Sequence, residues 1–414
     1  MNLLYNLSLY NNTDVFEGFE NIIGMNGGSF SIKVHNDYWI VNYNKAHLSI
    51  SNVNTLGLWR SVILNSKTKE IVCFSPPKSH NWNHFVTHNK IEECDVTIFE
   101  EGTMCNLFWD KSVGDWEIAT RGGIGGRYKY FKDAPKTFRM MFLEAMNYSG
   151  LEFNMLDKNF SYSFVLRHPD NRIVVPHKNR ELVLTNVYFY KDCEVYEVTD
   201  KSKWFINTDN ESNNLDIYGD IIKPLVNAEL PEKLEWENLY QKYSRMDIPY
   251  TNVGIQIYNK NTGARCKLRN PSYEQVKKLK GNSPKMQYQY YNLRQSGKVK
   301  EFLYYYPEYL SEFSKLRFEL HRWTNQLFTN YIECYIKKMK PLKEFAYQFK
   351  PHMYALHKLY IDNLRSIGGY ITKGEVIKYV NDLHPAKLMH AINYPHRKNT
   401  IDIIKDKTEI PVSE

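Results

Sequence analysis

The hydrophobic spacing of this chain changes once, near Asn270, and that change limits the folds open to it. Before it, apolar residues gather in short runs rich in β-branched and aromatic side chains, bounded by Asn, Ser and Pro. Tyr38–Tyr43 (YWIVNY), Leu58–Leu64 (LWRSVIL) and Glu70–Phe74 (EIVCF) are of this kind. Such runs predict strands, and Pro76-Pro77 closes the third. Asp95–Phe99 and Met104–Trp109 predict a further pair joined by the turn Glu100-Glu101-Gly102-Thr103. Asp115–Thr120, Ser161–Leu166, Arg172–Val175, Leu182–Tyr190, Gly254–Tyr258 and Arg265–Leu268 extend the strand-rich region. Two helices interrupt it. One is Ala134–Met146, where Phe138, Met141, Phe142 and Ala145 recur at helical spacing; the other is Leu234–Tyr243, after Pro231. Beyond Asn270 long amphipathic segments dominate, among them Tyr273–Leu279, Arg322–Met339 and His352–Ile367, punctuated by Pro271, Pro284, Pro307, Pro341 and Pro351. The expected organisation is α+β, with a sheet-rich domain over 1–270 and a helical C-terminal domain over 271–396. The polar tail, 397–414, is expected to be flexible.

A chain of 414 residues has room for two such domains, and 43% hydrophobic residues suffice for ordinary cores. The net charge of +8 favours polyanionic partners. No stretch approaches the roughly 18 apolar residues a membrane helix needs. The start, MNLLYNLSLYNNTDVFEGF, lacks the basic and apolar regions of a signal peptide. The six cysteines are scattered with no Cys-x-x-Cys pair, which argues against a structural zinc site or a disulfide framework. Free thiols suit a reducing, cytoplasmic compartment.

Several constellations could carry chemistry. In Lys267-Leu268-Arg269 the strand alternation places two cations on one face. A basic stretch follows, with Lys277, Lys278, Lys280, Lys285, Arg294, Lys298 and Lys300 around Tyr288, Tyr290 and Tyr291. Cations with interleaved aromatics suit RNA phosphates and bases; a plain solvated helical face has the same composition. His80, His84 and His88 would line one face if helical, but Asn81, Asn83 and Asn89 favour a loop, and no metal site is expected. Gly122-Gly123-Ile124-Gly125-Gly126-Arg127 lacks the Gly-Lys-Ser/Thr ending of a phosphate-cradling loop and reads as a flexible turn.

Taken in chain order, a set of short segments resembles the core of covalent nucleotidyltransferases, and of bacteriophage-type RNA ligases as found in large DNA viruses. Leu58-Trp59-Arg60-Ser61 resembles the arginine-bearing strand before the nucleophile. Cys73-Phe74-Ser75-Pro76-Pro77-Lys78 resembles the segment leading to a lysine near the phosphates. Phe99-Glu100-Glu101-Gly102 stands where the family has Lys-x-Asp-Gly. Ile118-Ala119-Thr120-Arg121-Gly122 resembles a Thr-Lys-Gly segment. Phe164-Val165-Leu166 followed by Asn171-Arg172-Ile173-Val174 resembles a Phe-Glu strand followed by Asn-Arg-Ile-Val. Val253-Gly254-Ile255-Gln256 resembles Glu-Gly-Val-Val, and Lys267-Leu268-Arg269 the closing Lys-x-Lys. The helical segments resemble the accessory domain of the same ligases.

The resemblance implies a nucleotidyltransferase (ATP-grasp-like ligase) core and ATP-dependent joining of RNA 5′-phosphate and 3′-hydroxyl ends, with ATP and magnesium as cofactors and RNA as partner. It assigns nucleotide or phosphate binding to Arg60, Lys78, Glu101, Gly102, Arg121, Arg172, Lys267 and Arg269. Three positions depart from the pattern. Phe99 cannot attack phosphorus, and Val165 and Val253 replace carboxylates expected to meet the sugar and the metal. The catalytic lysine is therefore unassigned, with Lys78 or Lys267 as substitutes. A non-enzymatic module that binds RNA or a protein partner stays open beside the enzyme, as does a structural virion or scaffold role.

Overall fold

The computed structural model describes residues 3–7, 28–129, 134–206, 221–395 and 397. Two compact units divide the chain, Met1–Lys277 and Lys278–Glu414. The strands of the first are β1 (Leu3–Asn6), β2 (Phe30–His35), β3 (Tyr38–Tyr43), β4 (Arg60–Asn65), β5 (Ile71–Cys73), β6 (Cys94–Ile98) and β7 (Thr103–Asp110). They continue as β8 (Asp115–Thr120), β9 (Gly123–Ile124), β10 (Ser161–Arg167), β11 (Glu181–Lys191), β12 (Glu194–Glu197), β13 (Gly254–Asn259) and β14 (Arg265–Arg269). Three sheets result, in the orders β1-β12-β11-β10-β7-β8-β9, β2-β3-β4-β5 and β14-β13-β6. The pairings between these strands are antiparallel. The architecture is α+β, sheets first and helices after.

Packing explains the sequence patterns. The helix Phe138–Ser149 starts where the Thr137 hydroxyl accepts from the Met140 N–H and ends at left-handed Gly150. It lays Phe142 and Ala145 over Leu107, Ile118 and Phe164 of the largest sheet. The β3 run is continuously apolar rather than alternating because both its faces are covered. Trp39 and Val41 face a cluster with Tyr188 and Val195, while Tyr38 and Ile40 face one with Phe108 and Ala119. The smallest sheet buries Ile255, Ile257, Cys266 and Leu268 against Phe85 and Leu239, which lie on the helices Trp82–His88 and Trp236–Tyr243.

Four sequence expectations change. Asp95–Phe99 and Met104–Trp109 do not pair: β6 joins β13, and β7 joins β8 and β10. The Glu-Gly turn passes from one sheet to another because Glu101 points inward and Gly102 lies against β10. A Cβ on Gly102 would sit 2.4 Å from the Leu166 carbonyl oxygen. Arg172–Val175 is no strand, since the N–H groups of Val174 and Val175 donate to the Glu101 carboxylate rather than to a neighbouring strand. The histidine-rich segment is helical, and Asn81 is its cap, accepting from the His84 N–H. Gly123–Ile124 is ordered as β9 beside β8. The strands β1, β2 and β12 were not expected, although FSIKVH in β2 alternates apolar and polar residues.

In the second unit, helices cover Met286–Gln295, Val299–Tyr305, Leu310–Tyr331, Lys350–Leu359, Lys373–Asp382 and Pro385–Ile392. The helix expected from Arg322 begins at Leu310, a turn after Pro307. Tyr290 and Phe302 both pack on Phe313, with ring centroids 5.0 Å away in each case. The expectation for 397–414 lies, beyond Arg397, outside the described residues. No described helix is long and apolar enough to cross a membrane, and all six cysteines are free.

Gly254 tests the sheet that carries the site. Its φ is +121°, and a Cβ there would lie 2.1 Å from the Leu268 carbonyl oxygen. Gly254→Ala is expected to destabilise the fold by about 2 kcal/mol or more. Gly114→Ala, also left-handed but in open space, should cost about 1 kcal/mol. Urea midpoints of the two variants give the comparison.

Candidate functional site

The smallest sheet presents a face of cations. Along β14 the alternation puts Cys266 and Leu268 into the core and Arg265, Lys267 and Arg269 on the opposite side. Across the sheet Lys267 pairs with Gln256 and Arg269 with Gly254. Phe99 continues β6 by donating its N–H to the Gly254 carbonyl at 2.9 Å. Gly254 has no side chain to separate Phe99 from Arg269, so both cations close over the ring. Lys267 Nζ lies 4.4 Å and the Arg269 guanidinium 5.4 Å from its centroid.

These groups line a cleft of about 240 Å³ with Arg60 and Lys277. Arg60 donates to the Pro76 carbonyl at 3.0 Å. Arg269 and Lys277 share one carboxylate, Glu274, at 2.7 and 3.9 Å. Among the described residues, Arg60, Arg265 and Lys267 form no ion pair. The Nε atoms of Arg265 and Arg269 are buried without an acceptor. Crowded cations in a recess resist charge. Burial first, then Arg265, Arg60, Arg269 and Lys78, push the Lys267 amine well below its ordinary value of 10.5. Arg60 falls to about 10 through burial and then Arg265 and Arg121. Lys277 is lowered by burial and then Arg269.

The cleft's acids are spent internally. Glu101 is buried; its oxygens accept from the N–H groups of Val174 (3.0 Å) and Val175 (2.9 Å) and from the Tyr273 hydroxyl (2.8 Å). Glu100 pairs with Arg167 at 3.0 Å. Val165 lines the cleft, and Val253 is buried at the start of β13, where the resemblance had placed carboxylates. No cluster of three or more His, Cys, Asp or Glu side chains among the described residues could hold a metal. The donor set thus does not fit a resident magnesium ion. Phosphate groups fit it better, because guanidinium and ammonium donors converge there in excess of the carboxylates that pair with them.

Of the residues singled out in the sequence, the cleft gathers Arg60, Phe99, Glu101, Gly102, Lys267 and Arg269. It leaves out three. Lys78 lines a separate cavity with His80, His84 and His88, its amine 2.8 Å from the Ser79 carbonyl. Arg121 is exposed at the β8–β9 turn, 5.9 Å from the Tyr43 ring centroid. Arg172 donates back to the Val174 carbonyl at 2.9 Å. Arg265 and Tyr273 were not expected in the cleft, and Lys277 was expected only as part of the basic stretch; Arg265 had a signal, since it shares the alternation of Lys267 and Arg269. The basic stretch loses part of its stacking reading, because Tyr290 and Tyr291 are buried in the helical core.

No protein-family model matches the chain. Over 148 residues it is 26% identical to the RNA ligase of Rhodothermus phage RM378, a match that spans 34% of this chain and 31% of that protein. In that stretch the chain is similar to RNA ligases. Among solved structures it aligns with Naegleria gruberi RNA ligase bound to pyrophosphate, at 13% identity and a TM-score of 0.31, covering 49% of this chain and 57% of that one. A mutant of the same ligase with ATP and manganese aligns at a TM-score of 0.32 and 13% identity, over 49% and 57% of the two chains. The chain thus spans about a third of the phage relative and somewhat over half of the solved ligase.

Glu101 should prove structural before anything else. Glu101→Ala removes the acceptor of two N–H groups, one of them buried, and of a buried hydroxyl, and is expected to cost about 3 kcal/mol or more. Tyr273→Phe removes one of those bonds and should cost about 1 kcal/mol. Denaturant melts of both variants check the order; equal, small effects would contradict the clamp.

Proposed function

We propose that this chain is an RNA-ligase-like protein whose β14 cleft binds the phosphates of ATP and of an RNA 5′ end. The observation that carries the reading is the convergence of Arg60, Arg265, Lys267 and Arg269 in one recess, where Arg60, Arg265 and Lys267 form no ion pair among the described residues. A recess of this charge is unfavourable when empty and is relieved by an anion. The partial likeness to the phage RNA ligase supports choosing nucleotide and RNA among the possible anions.

Phe99 removes the amine from the position where the resemblance expects the nucleophile. One observation favours a second reading in which joining chemistry persists. Lys267 reaches over that same ring, and its depressed amine carries a larger neutral fraction than an ordinary lysine. Its lone pair would bond to the α-phosphorus of ATP as the bond to the bridging oxygen breaks, releasing pyrophosphate and one proton.

Incubation with α-labelled ATP, followed by denaturation, separates the two. Retained label that is lost in Lys267→Met assigns the amine. No retained label, together with ATP and 5′-phosphorylated RNA binding that weakens about tenfold or more in Lys267→Met, supports a binding cleft without the covalent step. Binding unchanged in that variant would refute the placement of the cleft.

The pH dependence follows from the same lysine. A bound phosphate raises the Lys267 proton affinity, so binding takes up a proton wherever the free amine is neutral. Affinity for pyrophosphate should therefore fall as pH rises through the lowered value toward 10.5, by up to about tenfold per unit. Calorimetry in buffers of different ionisation enthalpy measures the uptake, and Lys267→Met should reduce it.

A further inference from the structure

Resting on the reading that the cleft takes phosphate, we propose that it holds a nucleotide's polyphosphate without a divalent cation, its own guanidinium and ammonium groups standing where a metal would. The geometry gives three independent reasons. First, the cations are in place and only partly compensated: Arg60, Arg265 and Lys267 form no ion pair among the described residues, the buried Glu197 attracts Arg265 without pairing with it, and Arg269 and Lys277 divide one carboxylate between them. Second, the Nε atoms of Arg265 and Arg269 are buried donors with no acceptor, which marks an anion's place rather than a cation's. Third, the two carboxylates that line the cleft among the described residues are already engaged. Glu101 spends its oxygens on Val174, Val175 and Tyr273, and Glu100 is paired with Arg167. Val165 and Val253 supply no oxygen ligand from their side chains.

A divalent ion carried in on the phosphates would add charge to a recess that already repels it. It would also occupy phosphate oxygens that the arginines need. The unchelated polyphosphate is the more negative ligand and the better electrostatic complement. Magnesium is thus a competitor for the ligand, not a helper of the site.

The test uses the full chain and needs no variant to be decisive. ATP and inorganic pyrophosphate are titrated in EDTA and in excess magnesium chloride at matched ionic strength, which removes general screening as a cause. The expected result is binding in EDTA that is as tight as, or up to about tenfold tighter than, binding in magnesium. Binding seen only with magnesium would overturn this proposal while leaving the cleft's function as a nucleotide site intact. Absence of binding in both conditions would overturn the nucleotide reading itself, and this proposal with it. Arg265→Gln should weaken the EDTA binding about tenfold. Lys158→Ala, remote from the cleft, should leave it unchanged, and thermal melting of each variant confirms folding.

Discussion

A single buried carboxylate, Glu101, organises the site. It lies just after β6 at the crossing from the smallest sheet to the largest, and it accepts from the backbone of Val174 and Val175 and from Tyr273. Those partners come from two stretches far from Glu101 in sequence. The crossing, the 171–175 segment and the start of the helix Pro271–Lys280 are thereby fixed against one another. A carboxylate with its oxygens so engaged is worth far more as an anchor than as a ligand, because any bound group would have to displace backbone donors that have nowhere else to go. The cleft's shape is consequently set by an acid, and its chemistry by cations.

That division explains why the cations can crowd. Lys267, Arg265 and Arg269 project from one strand at alternate positions, so their separation is dictated by the pleat and cannot relax. The apolar side of the same strand, through Cys266 and Leu268, fixes β14 against the helices beneath it. Hydrophobic burial thus holds together a charge arrangement that electrostatics alone would disperse. Burial first, and then the neighbouring cations, lower the proton affinities of Lys267, Arg60 and Lys277.

How much of this was legible in the sequence depended on how local each signal was. The β3 and β8 runs and the switch to helices near Asn270 were readable because their apolar patterns are contained in the segments themselves. The alternation of Lys267 and Arg269 was readable for the same reason. The failures are all non-local. Glu100-Glu101-Gly102 looked like a hairpin because nothing nearby says that Glu101 is buried. Val174 and Val175 looked like a strand because their donors go to a side chain more than 70 residues away. Asn81 argued for a loop and acted as a cap, two uses of the same short amide that only the following turn distinguishes. Lys78, Arg121 and Arg172 were chosen by order in the chain, and the fold turns each of them to other partners.

Phe99 is where the binding and catalytic readings meet, and its physics is not neutral between them. An aromatic face attracts an ammonium and does little for a neutral amine. Phe99 therefore raises the proton affinity of Lys267, while burial and the neighbouring arginines lower it. Once a phosphate enters, its charge cancels the arginines' repulsion and adds to the ring's preference, and both then favour the ammonium. On the proposed function, a bound phosphate would therefore suppress the amine's nucleophilicity. A residue arranged in this way is better suited to gripping phosphate than to attacking it, and that asymmetry, more than the missing lysine itself, places the binding role ahead of the covalent one.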